Sequence, residues 1–165
     1  VDVAIRHGDG SESGLHMTQL CSEELFPVCS PELMHGEYPL KDFQNLRHHT
    51  LLHMENREDW SRWLKAAQIN NVGLSRGPIF DQASMVIDAA VDGQGVALAR
   101  TGLAAQDLIK GHLVRPSSIG LKVDYAYWVV CPKATANLPK IELIRNWLLQ
   151  EARSDTEHLA NLAEP

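Results

Sequence analysis

Long apolar runs, an excess of positive charge and a usable set of cysteines are all missing from this 165-residue chain. No run approaches the length that crosses a bilayer. The opening stretch, interrupted by Asp2 and Arg6, does not read as a secretory signal, so no membrane partner is expected. Lysine and arginine number 15 against 21 aspartates and glutamates, a formal net charge of −6. Such a chain offers no basic face to neutralise phosphates and is not expected to grip nucleic acid by itself. The 3 cysteines, Cys21, Cys29 and Cys131, are an odd count without metal-ligand spacing. Cys29 and Cys131 stand among apolar neighbours and read as small core residues. A reducing cytoplasm is the simplest setting.

Catalytic arrangements are missing as well. The nucleophile elbow G-x-S-x-G does not occur, and "VCSPE" lacks its flanking glycines. Cys29 has no neighbouring base to activate it. Nothing places an acid, a base and an oxyanion hole at a recognisable spacing, so no enzyme is expected. In "HHTLLH", His48, His49 and His53 have no carboxylate or cysteine to complete a ligand set, and no metal or other cofactor is expected. Gly93-Gln94-Gly95 raises the question of phosphate binding. A dinucleotide fingerprint follows a strand and opens a helix, whereas these glycines follow a helix and lead into a strand. Gly93 therefore reads as the C-terminal cap of helix 82–92 and Gly95 as a tight strand entry.

Short strands and helices alternate along the chain, which predicts an α/β layer architecture. Strands are expected at 1–5, around Leu25 to Cys29, and at 51–54, 77–80, 95–99 and 123–132. A polar, glycine-rich loop is expected at 6–15. Ser30 is expected to cap a helical turn that begins at Pro31. Helices are expected at 57–68, capped by Asp59, and at 102–109, capped by Thr101. In the first, Trp60, Trp63, Leu64 and Ala67 share a face. The clearest helix is 138–152, where Leu138, Ile141, Ile144, Leu148 and Leu149 form one apolar stripe; the tail beyond it is expected to fray.

Helix 82–92 begins at the carboxyl end of strand 77–80, where open α/β folds place ligands. Backbone N–H groups from Gln82 to Ser84 and the helix dipole favour an anion such as a carboxylate. Gln82 and Ser84 add polar groups, and Phe80 an apolar wall. The residues leave a plainer reading open, in which Asp81 caps the helix and Ser84 is a surface residue. Arg6 directly follows the first strand and can hold a carboxylate through two parallel hydrogen bonds, or stand in solvent at the strand end. His7 reads as a solvated loop histidine.

Seven strings, among them "VDVAIRHGDG", "LFPVCSPEL", "GPIFDQASMVIDAAVDGQGVALA" and "YAYWVVCP", together resemble the effector-binding (substrate-binding) domain of LysR-type transcriptional regulators. The likeness spans nearly the whole chain and is nearest to the branch of the glycine-cleavage activator and the β-lactamase regulator. It implies an α/β, two-lobed, periplasmic-binding-protein-like (type II) effector domain with lobe one truncated at its N-terminus. Lobe one would comprise residues 1–25 and 125–165 and lobe two residues 26–124, with crossover strands near Leu25–Pro27 and Val123–Tyr127. A small anionic or amino-acid-like effector would lie in the cleft between the lobes. The DNA-binding winged helix-turn-helix would lie upstream of this chain, and the partners would be that effector and further copies in a cytoplasmic homodimer or homotetramer. Carried over by position, the ligand contacts are Arg6, Phe80, Asp81, Gln82, Ala83, Ser84 and Tyr127. The branch often has hydroxyl residues directly after Phe-Asp; here Gln82 and Ala83 stand there and the hydroxyl is delayed to Ser84. The alternative to a regulator is a periplasmic solute-binding protein of the same broad fold.

Overall fold

The structure, a computed structural model, describes residues 1–163. In chain order its elements are β1 (Ala4–Gly8), β2 (Leu15–Cys21), β3 (Glu24–Val28), β4 (Leu51–Met54), α1 (Glu58–Ala66), β5 (Ile79–Phe80), α2 (Ala83–Val91), β6 (Val96–Arg100), α3 (Thr101–Ile109), β7 (Leu121–Lys122), β8 (Ala126–Pro132) and α4 (Pro139–Ala163). The chain divides into two compact units. The first comprises residues 1–23 with the chain from Val123 onward; the second is Glu24–Lys122.

The first unit is a three-stranded antiparallel sheet of order β1-β8-β2, with α4 packed on β2 and β8. The apolar run of β8 suits its central place: Val129, Val130 and Cys131 are successive and buried, so both faces of the strand are covered at that end. Expectations fail here at several points. β1 runs from Ala4 to Gly8, so Arg6 and His7 lie inside the strand and not in the loop after it. The expected loop holds at 9–14, and β2, which follows it from Leu15, is not among the expected strands. Among the described residues the tail is helical, α4 continuing to Ala163. Its expected stripe splits: Ile141 is buried with Cys131 and Ala136, Leu148 and Leu149 are half-buried, and Leu138 and Ile144 are exposed.

The second unit is a five-stranded mixed sheet of order β5-β4-β6-β3-β7. β4 is parallel to β5 and β6, while β3 is antiparallel to β6 and β7. α1 buries Trp60, Trp63 and Leu64, as their spacing requires, and Trp60 donates its indole N–H to the Leu52 carbonyl at 2.9 Å. Ser30 accepts the N–H of Glu32 and starts a 3-10 turn at Pro31. α2 ends in a Schellman arrangement: Gly93 has φ of 74°, its N–H reaches the Ala90 carbonyl at 3.1 Å, and the Gln94 N–H reaches Ala89 at 3.0 Å.

Two expected caps, and one left open as an alternative, fall elsewhere. Asp59 lies inside α1 and pairs with Arg62 at 3.7 Å, while Asn56 accepts the Glu58 N–H at 2.8 Å. Thr101 is the first residue of α3, and its hydroxyl accepts the N–H of Glu24 at 3.1 Å. Asp81 precedes the N-cap of α2, which is Gln82.

Candidate functional site

In the second unit the candidate residues form the junction between β5 and α2. β5 lies alongside β4, with the Glu55 N–H donating to the Phe80 carbonyl at 2.8 Å and the His53 N–H to Pro78 at 3.0 Å. The chain therefore leaves the sheet at a fixed point. Phe80 is half-buried, Asp81, Gln82 and Ser84 are exposed, and Ala83 is intermediate. Gln82 is extended, with φ −127° and ψ 129°, and its side chain makes no capping bond. A helix offers no internal acceptor to its first N–H groups, so those of Ala83 and Ser84 are turned to whatever lies before the helix. The dipole of this nine-residue helix adds to their pull on an anion. α2 itself is anchored through Val86, Ile87, Ala89 and Ala90, all buried.

In the first unit the register of β1 on β8 separates two of the expected contacts. Arg6 lies opposite Trp128 and His7 opposite Tyr127. Since successive strand residues alternate between faces, Arg6 and Tyr127 are directed to opposite faces of the sheet. On the Arg6 face the loop after β1 folds back. The Trp128 indole donates to the Gly8 carbonyl at 3.0 Å, and the Arg6 guanidinium is ion-paired with Glu12. Both members of that pair are well exposed.

The other face carries a tighter cluster. The His7 and Tyr127 rings are 4.9 Å apart, the Tyr125 ring is 5.9 Å from His7, and His7 Nε2 is 3.3 Å from Oε2 of the fully buried Glu23 side chain. Nearby Cys21 has its thiol pushed up, first by burial and second by the negative charge of Glu23. His7, expected in a solvated loop, is thus built into this group. No spacing in the sequence announced Glu12 or Glu23 as partners, because each is brought in by a turn of the chain.

The histidines of "HHTLLH" are scattered among different tasks. His48 stacks on Tyr38 at 3.9 Å, the His49 ring contacts the Tyr38 carbonyl, and His53 is buried in β4. Among the described residues no group of three or more His, Cys, Asp or Glu side chains is arranged to hold a metal ion. No helix among them is long and apolar enough to cross a membrane.

Comparison with known proteins gives a consistent set of relatives. The family model of the LysR substrate binding domain matches residues 1–153. The chain is 42% identical over 157 residues to the glycine cleavage system transcriptional activator of Escherichia coli (strain K12), covering 95% of this chain and 52% of that protein. It is 31% identical over 154 residues to the HTH-type transcriptional activator AmpR of Providencia stuartii, covering 93% and 51% respectively. The chain thus spans about half the length of the curated relatives it matches. The solved effector domain of AmpR from Pseudomonas aeruginosa superposes with a TM-score of 0.67 at 28% identity, covering 98% of this chain and 75% of that one. The AmpR effector binding domain from Citrobacter freundii has a TM-score of 0.70 at 23% identity, covering 93% and 76%, and speaks to the fold alone.

Proposed function

The chain belongs to the LysR substrate-binding domain family, and from that premise we propose that it is the ligand-sensing part of a DNA-binding transcriptional regulator. Its mixed α/β fold is that of LysR effector domains, which are type II periplasmic-binding-protein-like. The relatives' names, transcriptional activators and regulators, favour this reading over a solute-binding protein.

The ligand is a small effector with a carboxylate or comparable anionic group. The observation that carries this is the start of α2: uncapped N–H groups at Ala83 and Ser84, a helix dipole and the Ser84 hydroxyl, all at the carboxyl end of a strand. The proposed contacts there are Phe80, Gln82, Ala83 and Ser84, with Asp81 serving the cationic group of an amino-acid-like effector, since its own charge opposes an anion. In the first unit the contact is Arg6, a bidentate partner for a carboxylate once released from Glu12; Tyr127, expected as a contact as well, is directed to the opposite face of the sheet and does not join Arg6 on one small ligand. DNA binding belongs to a domain of the full-length protein outside this chain, and the protein acts as a homodimer or homotetramer in the cytoplasm. Regulation requires that the effector bind two states of the protein with different affinity.

A thermal-shift screen of this chain against amino acids and small carboxylates tests the reading. A ligand at about 100 times its dissociation constant adds roughly 2.7 kcal/mol, enough to raise the midpoint by several degrees. The shift should shrink in Ser84→Ala, which removes the hydroxyl but keeps the N–H, and in Arg6→Ala. A screen without any shift would count against it.

A further inference from the structure

We propose that Arg57 is a positioning residue for the Phe80–Ser84 turn, a role that rests on the reading of that turn as an effector contact. Arg57 occupies the N-cap position of α1, yet its side chain caps nothing. Its guanidinium turns instead to the segment before β5. Nη1 donates to the carbonyls of Leu74 at 2.7 Å and Arg76 at 2.9 Å, and Nη2 donates to Gly77 at 3.1 Å. Several carbonyls of one short stretch thus converge on one permanent cation, whose planar fork of donors suits that arrangement.

The segment needs such a clamp. β5 is two residues long, lies at the edge of its sheet, and pairs with β4 alone. A strand that short does little to fix its own register. Nothing between Ala67 and Pro78 forms helix or strand. Gly77 has φ of 92°, and a Cβ there would overlap the Leu51 carbonyl, so the chain passes β4 at a distance that only glycine permits. Buried His53 reinforces the same point, with Nε2 3.0 Å from the Arg76 carbonyl. Arg57 fixes residues 74–77, these set where β5 meets β4, and β5 sets where the first N–H groups of α2 are aimed. Lysine in its place supplies a point charge without the fork.

Arg57→Gln and Arg57→Lys, made in this chain, test the assignment by amide hydrogen exchange and by sulfate titration followed on amide resonances. Exchange at His53 and Glu55, whose N–H groups bond to Pro78 and Phe80, should quicken about tenfold or more in Arg57→Gln relative to β6 amides. Sulfate-induced shifts at Gln82–Ser84 should need several-fold more sulfate, with Arg57→Lys restoring part of the loss. Unchanged exchange at His53 and Glu55 would overturn the proposal. So would a loss of protection spread evenly over β4, β6 and α1, the mark of a merely structural residue. Should Arg57→Gln not fold, the same comparison in Arg57→Lys decides. If sulfate moves no resonance at Gln82–Ser84 in the unaltered chain, the effector-contact reading fails, and the exchange arm still decides the clamp.

Discussion

Gly95 approaches the carbonyl of Thr50 so closely that a Cβ on Gly95 would overlap the oxygen. The same oxygen accepts the N–H of Val96 at 2.9 Å, at the point where β4 and β6 begin to pair. The oxygen belongs to the backbone, so relief of the overlap would need the chain itself to shift. Gly95→Ala is therefore expected to destabilise the chain by about 1–3 kcal/mol, the range of an overpacked core. Urea unfolding of the two proteins measures it, and an unchanged midpoint would contradict the packing described.

His53 gives a pH dependence of known sign. Burial holds its imidazole below its ordinary value, the bond to the Arg76 carbonyl opposes this, and the charge of Arg57 adds to the lowering. A ring whose folded value lies below its unfolded value of about 6.5 takes its proton more readily in the unfolded chain. Stability from this residue is full above about pH 6.5 and is lost as the pH falls below it. Between pH 7.5 and 5.5 the unfolding free energy should fall more in the unaltered chain than in His53→Gln. Equal falls would remove His53 as the cause.

The cysteines should separate by reactivity. Cys29 is fully buried and its thiol is pushed up to about 12 by burial, so at pH 8 almost none of it is thiolate. Cys21 is less buried, although its thiol is raised too. Alkylation of the native protein with iodoacetamide, mapped by mass spectrometry, should label Cys21 slowly and leave Cys29 unlabelled until the chain unfolds. Early labelling of Cys29 would show that its bridge to Val114, at the end of β3, opens.

Much of this was legible because it depends on near neighbours. Ser30 before Pro31, the Trp60–Trp63–Leu64 face, the Schellman glycine Gly93 and the tight entry at Gly95 all follow from residues within one or two turns. What was not legible depends on distant partners. β2 is half-buried except at the exposed Gln19 and mixes polar with apolar residues, and its strand character comes from pairing with β8 more than a hundred residues later. Thr101 looked like a cap because its hydroxyl precedes a helix, yet that hydroxyl serves Glu24 on β3. Among the candidate site residues, the position of 80–84 at a strand end and helix start was readable from the order of elements. The pairing of Arg6 with Glu12, the alternation that sets Arg6 and Tyr127 on opposite faces, and the reach of Arg57 to Leu74, Arg76 and Gly77 were not. Each is set by strand register or by a loop path that no spacing encodes.

Glu12 should compete with an anionic effector for Arg6. The pair is exposed, so Glu12→Gln should change stability by no more than about 1 kcal/mol. A carboxylate ligand found in the screen should bind Glu12→Gln more tightly than the unaltered chain, and Arg6→Ala more weakly. Calorimetric titration of the three proteins reads both differences. An unaltered affinity in Glu12→Gln together with a normal one in Arg6→Ala would remove Arg6 from the binding residues.

The central claim is that an anionic effector is held by the N–H groups that open α2. The measurement that tests it most directly is a two-dimensional amide NMR titration of this chain with the best carboxylate from the screen. The account predicts saturable downfield shifts of the Ala83 and Ser84 amide protons, the response of donors gaining a charged acceptor, and their loss in Ser84→Pro, which removes one of those donors. Saturable binding that leaves Ala83 and Ser84 unmoved while shifting amides elsewhere would contradict it.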